Sequence, residues 1–301
     1  MDNLAIILVF VSSFMHAGWN CLGKRVRPSG ASFTLSVMLG MLAFVPLLLF
    51  YIDWLGEISR EIWYLLILSG LFQAIYYLGL GQSYRFGDMS LMYPVSRALP
   101  VLLVPPVIGL LGWGAELSPG KWLAFSLIVS GCIILPLWHW RDIRWSHYLN
   151  SATAFAVMAA LGITGYSVVD SQALMLMRAL WPVEGVAFKS ALLYLILQAV
   201  TTCLWLVLFT FPFQKQRIEI VQLFACHRGA LFFTGVAMFS TYSIVLAAMA
   251  FADNVSLIVA LRQTSIPVGV LMGVFLLGER ASSQKWWGTG LIVSGLILVS
   301  I

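Results

Sequence analysis

Two arginines, Arg97 and Arg262, stand inside otherwise apolar runs. Each lies about seven residues from the start of its run, roughly 10 Å of helix at 1.5 Å per residue. A guanidinium at the bilayer centre costs at least a few kcal/mol, so such residues face a cavity or a partner. Guanidinium binds carboxylate, phosphate or phosphonate through two parallel N–H···O bonds. Convergence of Arg97 and Arg262 on one pocket therefore implies an anionic or zwitterionic small-molecule substrate. The competing use is structural. Pro94 and Pro100 flank Arg97 and Pro267 follows Arg262, and each arginine would then cap carbonyls that the prolines free. The same prolines let helices bend, which makes Pro94, Pro100 and Pro267 candidates for gating.

Asp170 is the one acid inside or at the edge of an apolar run, near the end of residues 150–171. It suits a substrate amine or a coupling proton, with an interfacial acid facing water as the alternative. His16, Trp19 and Asn20 share one helical face at spacings of three and four. They supply a titratable ring, a stacking surface and hydrogen bonds, or serve only to join helices. Tyr166 is the counterpart of Trp19 in the second half of the chain. Tyr77 and Tyr242 also correspond, and Gln73 and Tyr93 lie near Tyr77 in sequence. An aromatic pocket with a few polar groups is the usual form of a small-molecule site. The four cysteines and four histidines have no metal-ligand spacing, so neither a metal nor a cofactor is expected. No phosphate loop, nucleophile elbow or His-Glu-x-x-His run is present. An enzyme is not expected, and energy would come from a gradient or from substrate exchange.

These residues must be held by elements of a membrane protein. Of 301 residues, 61% are hydrophobic and 10% are charged, against about 25% charged in an ordinary soluble domain. Apolar runs cover residues 3–23, 31–52, 62–83, 89–111, 119–138, 150–171, 185–212, 229–250, 255–277 and 283–301. Each is long enough to cross a bilayer as a helix. The expected fold is an all-α polytopic membrane protein of ten transmembrane helices. The first run has no basic stretch before it and no small-residue cleavage pattern after it, so it reads as a retained span. The loops are too short for a soluble domain. The face that holds the loops after odd-numbered runs carries eleven of the 17 Lys and Arg, and the opposite face four. The positive-inside rule then turns both termini outward. The net charge of +5 sets orientation and does not point to nucleic acid. Trp54, Trp63, Trp122, Trp138, Trp140, Trp286 and Trp287 cluster at run ends, as interfacial anchors do. Gly269 and Gly273 form a Gly-x-x-x-Gly suited to close helix packing.

The second half repeats the first. Leu127-Ile-Val-Ser-Gly131 recurs as Leu291-Ile-Val-Ser-Gly295, and Lys121-Trp122 as Lys285-Trp286 at the same offset. Phe86-Gly-Asp-Met-Ser-Leu91 resembles Phe251-Ala-Asp-Asn-Val-Ser-Leu257 with one residue inserted. The chain divides into units 1–148 and 149–301. Five spans per unit is an odd number, so the second copy enters the membrane inverted, an architecture of secondary transporters with midplane sites between the copies.

Gly278-Glu279-Arg280, Gln284-Lys-Trp-Trp-Gly288 and Leu291-Ile-Val-Ser-Gly295 resemble the last-span signature of the drug/metabolite transporter superfamily, in its ten-span EamA-type branch. His16-Ala-Gly-Trp-Asn20 with Lys24, and Gly165-Tyr-Ser-Val-Val-Asp170, resemble the openings of that branch's two units. The resemblance covers almost the whole chain. The first copy departs from it between Gly112 and Lys121, around Glu116, where two residues are added. It implies two five-helix units rocking by alternating access about a midplane cavity, with spans four and nine lining it. It does not single out a substrate, since members carry amino acids, nucleobases, sugars and phosphorylated metabolites. A lipid flippase or a non-transporting membrane subunit is the alternative. A compact chain of this kind fits a bacterial inner membrane, with the lipid bilayer and a small solute as its partners. A monomer suffices, because the two halves enclose the site between themselves.

Overall fold

The computed structural model describes residues 3–23, 26, 29–86, 89–113, 118–134, 137, 139, 150–181, 186–250, 255–276 and 282–300. Among them there is no strand, and the chain runs through helices α1 (Asn3–Gly23), α2 (Gly30–Phe44), α3 (Ile52–Leu55), α4 (Arg60–Phe86), α5 (Met89–Leu111), α6 (Pro119–Ile134), α7 (Ser151–Leu180), α8 (Val186–Thr210), α9 (Gln214–Ala250), α10 (Val255–Leu261), α11 (Ser265–Leu276) and α12 (Ser283–Ser300). A 3-10 stretch, Val45–Tyr51, joins α2 to α3, and a 3-10 turn, Arg262–Thr264, joins α10 to α11. Segments this apolar form helices because backbone N–H and C=O groups taken out of water must pair within the segment.

Local signals set several ends. Ser29 and Ser32 form a capping box before α2, and the Asn150 side chain accepts from Thr153 N–H at the start of α7, each satisfying a first-turn donor. α5 stops at Gly112, whose φ of +69° is left-handed. Trp113 N–H then reaches back to Ile108 C=O at 3.0 Å, a Schellman ending that favours glycine.

Among the described residues, five helices are long and apolar enough to cross a membrane: Gly30–Leu55, Arg60–Phe86, Ser151–Leu180, Phe188–Thr210 and Gln214–Met249. Shorter apolar helices lie at Leu4–Trp19, Leu99–Leu111, Pro119–Ile134 and Leu257–Met272. Two helices outrun their apolar stretches. α7 continues to Leu180, past the polar Asp170-Ser171-Gln172 that ends the run 150–171. α9 begins at Gln214, well ahead of residue 229. Hydropathy marks where a helix leaves apolar surroundings, whereas the hydrogen-bond ladder goes on until a breaker arrives.

α4 and α7 lie antiparallel in close contact. A Cβ on Gly79 would stand 2.8 Å from Ala159 N, and one on Gly162 would stand 2.7 Å from Tyr76 N. Further along, Trp181 Nε1 donates to Glu57 Oε2 at 2.6 Å, and Trp54 packs on Trp181 with ring centroids 4.5 Å apart. α6 and α12 are antiparallel too, and their contact is reciprocal. A Cβ on Gly131 would lie 2.5 Å from Gly288 O and 2.7 Å from Ile292, and one on Gly295 would lie 2.7 Å from both Ala124 O and Ile128. Gly131 and Gly295 are the glycines that close the two Leu-Ile-Val-Ser-Gly repeats. Gly131→Leu and Gly295→Leu are each expected to cost about 1–3 kcal/mol or more, through overpacking against backbone. Matching losses of melting temperature in detergent would check this; a fall in only one variant would contradict the reciprocity.

Other pairings recur in the same way: α4 on α7 and α9 on α1, α2 on α9 and α8 on α4, α5 on α6 and α11 on α12. Arg85 in the last turn of α4 meets Glu219 near the start of α9 at 4.0 Å, and Ser282 Oγ donates to Leu137 O at 3.0 Å. By contrast with these close glycine contacts, a Cβ on Gly269 would meet nothing within 4 Å. Among the described residues nothing packs at Gly269, and Gly273 lies outside the described side chains.

Candidate functional site

α4 and α8 are tied through Thr201 Oγ1, which donates to Leu66 O at 3.0 Å, and Trp205 Nε1, which donates to Ile67 O at 3.0 Å. That contact puts Ser69 of α4 beside Tyr194 and Gln198 of α8. All three turn toward α7, where Asp170 is fully buried. Ser69 Oγ donates to Asp170 Oδ1, as does Tyr194 OH at 2.7 Å. Gln198 Nε2 lies 3.0 Å and 2.9 Å from the two carboxyl oxygens and 2.6 Å from Ser69 Oγ. From α9, Tyr242 OH donates to Oδ2. Four side chains from three other helices thus surround the acid.

The setting of Asp170 differs from the interfacial alternative. It stands ten residues before the end of α7 at Leu180, roughly 15 Å along the axis. Burying a carboxylate is costly unless its lone pairs are satisfied, and here each oxygen receives at least two donors.

Tyr242 connects this acid to one of the arginines. The Arg262 guanidinium carbon lies 5.5 Å from the centroid of the Tyr242 ring, within cation–π range. Arg262 NH2 also lies 3.5 Å from Tyr166 OH. Tyr166 in turn meets Tyr242 edge-on with centroids 5.5 Å apart, and Tyr76 at 5.9 Å. Tyr76 packs on Tyr77 at 4.9 Å, and Tyr77 stacks on Phe33 at 6.0 Å. Trp19 joins the same buried aromatic group. Arg262 opens the 3-10 turn between α10 and α11, where Ser265 N–H turns back onto the carbonyls of Arg262 and Gln263. Pro267, buried two residues further on, lacks the N–H that a continuous helix would need there. The backbone thus supplies its own cap at this break, and the guanidinium turns to the tyrosines.

Arg97 is buried at 4% exposure and Arg262 at 8%. Both are near enough to act electrostatically on His16 of α1, which meets Trp19 edge-on at 4.7 Å. Of the residues singled out in the sequence, Arg97, Arg262, His16, Trp19, Tyr77, Tyr166, Tyr242 and Asp170 thus gather in one buried region. Gln73 and Pro100 are buried on α4 and α5. The side chains of Asn20, Tyr93 and Pro94, and residues Glu116, Trp138 and Trp140, lie outside the described ones. Trp19 Nε1 and Ser167 Oγ are buried without a hydrogen-bond partner among the described residues.

Ser69, Tyr194 and Gln198 were not picked out from the sequence. A signal existed. Ser190, Tyr194, Gln198 and Thr201 repeat at intervals of four, four and three in an otherwise apolar segment, the spacing of a polar stripe on one helix face.

The structure is an all-helical protein with several helices suited to a membrane. Its fold matches that of solved proteins. One protein crystal structure aligns with a TM-score of 0.62, covering 99% of this chain and 96% of that chain at 16% identity. At that identity the likeness is one of fold alone. No protein-family model matches the chain, and no curated protein matches its sequence.

Proposed function

We propose that this chain is a secondary transporter for a small anionic or zwitterionic organic metabolite, such as an amino acid, a phosphonate or a phosphorylated compound. It works by alternating access between two five-helix units, 1–148 and 149–301. The observation that carries the reading is the position of Arg97 and Arg262. They hold nearly corresponding places in the two halves and both are buried, Arg262 against Tyr242 and Tyr166. Two buried cations, Arg262 lying over the Tyr242 ring, and a Trp19 Nε1 without a partner among the described residues make a setting that favours an incoming anion. Each new charge-assisted bond there forms where water does not compete.

An inverted repeat of ten spans is supported by the reciprocal contact of Gly131 and Gly295 across antiparallel α6 and α12. A two-fold axis in the membrane plane relates antiparallel helices, whereas an axis along the membrane normal relates parallel ones. The paired recurrence of helix contacts favours the same arrangement. So do Arg85 meeting Glu219, Ser282 meeting Leu137 and Trp181 meeting Glu57, since each joins residues near span ends that a ten-span path puts on one side. We place the protein in a bacterial inner membrane, with the termini outward by the positive-inside rule. Likeness to the drug/metabolite transporter superfamily agrees with all of these features. Arg262, Arg97, Tyr166, Tyr242, Tyr77, Trp19, Asn20, Tyr93 and Gln73 bind the solute. Asp170 and His16 serve coupling, and Pro94, Pro100 and Pro267 serve bending.

The test is a thermal-shift screen of the purified protein in detergent, against amino acids, aminophosphonates, phosphorylated sugars, nucleobases and cationic drugs. A ligand that binds the folded state raises its melting temperature. Stabilisation confined to compounds with a carboxylate, phosphate or phosphonate is expected. Stabilisation by cationic or neutral compounds alone would overturn the anionic reading.

A further inference from the structure

Three of the four groups around Asp170 are hydroxyls, from Ser69, Tyr194 and Tyr242. A hydroxyl both donates and accepts, whereas arginine, lysine and backbone N–H only donate. An acid held by hydroxyls is therefore served in either protonation state. With the carboxylate ionised, all three donate to it; with a proton on it, one of them turns and accepts. The groups facing Asp170 are Ser69 from α4, Tyr194 and Gln198 from α8, and Tyr242 from α9. Tyr166 lies one turn away on α7 itself. No cation touches Asp170 among the described residues.

The cation that reaches Asp170 does so through Tyr242, whose hydroxyl is on the acid and whose ring lies under Arg262. Arg97 and His16 stand further off, in the same region. We infer that Tyr242 couples anion binding at Arg262 to proton uptake by Asp170, so that the carrier moves a proton together with each anion. The inference rests on reading Arg262 as the partner of the substrate's anionic group. While Arg262 is unpaired, its charge favours the ionised carboxylate across the Tyr242 ring. An anion docked on Arg262 cancels that charge and brings a second negative charge near the acid. Asp170 then takes a proton from water on the side to which the site is open. Tyr242 OH turns from donor to acceptor of the new O–H, and its own proton leaves the acid. Linkage is reciprocal, so the proton tightens anion binding by the factor through which the anion favours the proton. On release the anion and the proton leave together.

The experiment measures protons taken up per anion bound. Purified full-length protein in weakly buffered detergent, with a pH indicator, is saturated at neutral pH with sulfate, acetate or glycine, whose charges do not change there. Melting temperature reports binding in parallel. Wild type is expected to take up about one proton per bound anion. Asp170→Asn is expected to take up none. Tyr242→Phe, which keeps the ring and loses only the hydroxyl, is expected to take up less than half. Infrared difference spectra of the wild type alone supply a readout that no variant can spoil, because a protonated carboxylic acid band should appear when the anion is added. Anion binding without proton uptake and without that band overturns the coupling and leaves the anionic site standing. Uptake that is the same in wild type and Tyr242→Phe overturns the role of Tyr242. If no compound bearing a carboxylate, phosphate, phosphonate or sulfate stabilises the wild type at saturating concentration, the anionic reading falls and the coupling falls with it.

Discussion

Arg262→Ala is expected to lose ligand stabilisation almost entirely, with the dissociation constant of an anionic ligand raised roughly ten- to a hundredfold. The figure follows from removing charge-assisted hydrogen bonds worth about 1.5–3 kcal/mol to a buried site. Arg262→Lys should fall between, because lysine keeps the charge but not the planar fork that binds two oxygens at once. Arg97→Ala should behave as Arg262→Ala does if both forks hold the solute. Stability without ligand separates binding from folding. The cation–π contact with Tyr242 is worth about 0.5–2 kcal/mol, so Arg262→Ala should melt only moderately lower than wild type. Equal ligand-induced shifts in Arg97→Ala, Arg262→Ala and wild type would make both arginines structural. Asp170 and the tyrosines would then be the better candidates for contact with solute.

Asp170→Leu is expected to be the most destabilising single substitution in the region. It removes the acceptor shared by Ser69, Tyr194, Gln198 and Tyr242 and leaves four buried donors to find new partners. An unsatisfied buried group costs about 1–3 kcal/mol, and even partial relaxation leaves a loss of several kcal/mol. Asp170→Asn should cost less, since one carbonyl oxygen remains to accept. The decisive comparison is a double variant. Adding Tyr242→Phe to Asp170→Leu removes one stranded donor, so the pair should be less damaging than the two single losses combined. Melting temperatures of the three variants in lipid nanodiscs provide the measurement. Strict additivity, or a Leu variant as stable as wild type, would mean that the hydroxyl shell does not depend on the acid.

Much of this molecule is legible along the chain. A composition of 61% hydrophobic and 10% charged residues leaves no surface for water. The apolar stretches must then become helices, because nothing else satisfies a backbone outside water. The recurrence of Leu-Ile-Val-Ser-Gly and Lys-Trp at one offset is readable too, and so is the oddity of Arg97 and Arg262 within apolar surroundings. What remained hidden concerns depth and company. Asp170 reads as an edge residue because Ser171 and Gln172 follow it, but a helix ends at a breaker and not at a polar residue, and none comes before Trp181-Pro182. Its partners lie 101, 24, 28 and 72 residues away, on three helices whose rotation is set by contacts such as Gly162 against Tyr76 and Thr201 against Leu66. Periodicity within one segment establishes which residues share a face. Only the packing of helices decides which face meets which, and that packing turned an acid at the end of an apolar run into the centre of a buried hydroxyl shell behind Tyr242 and Arg262.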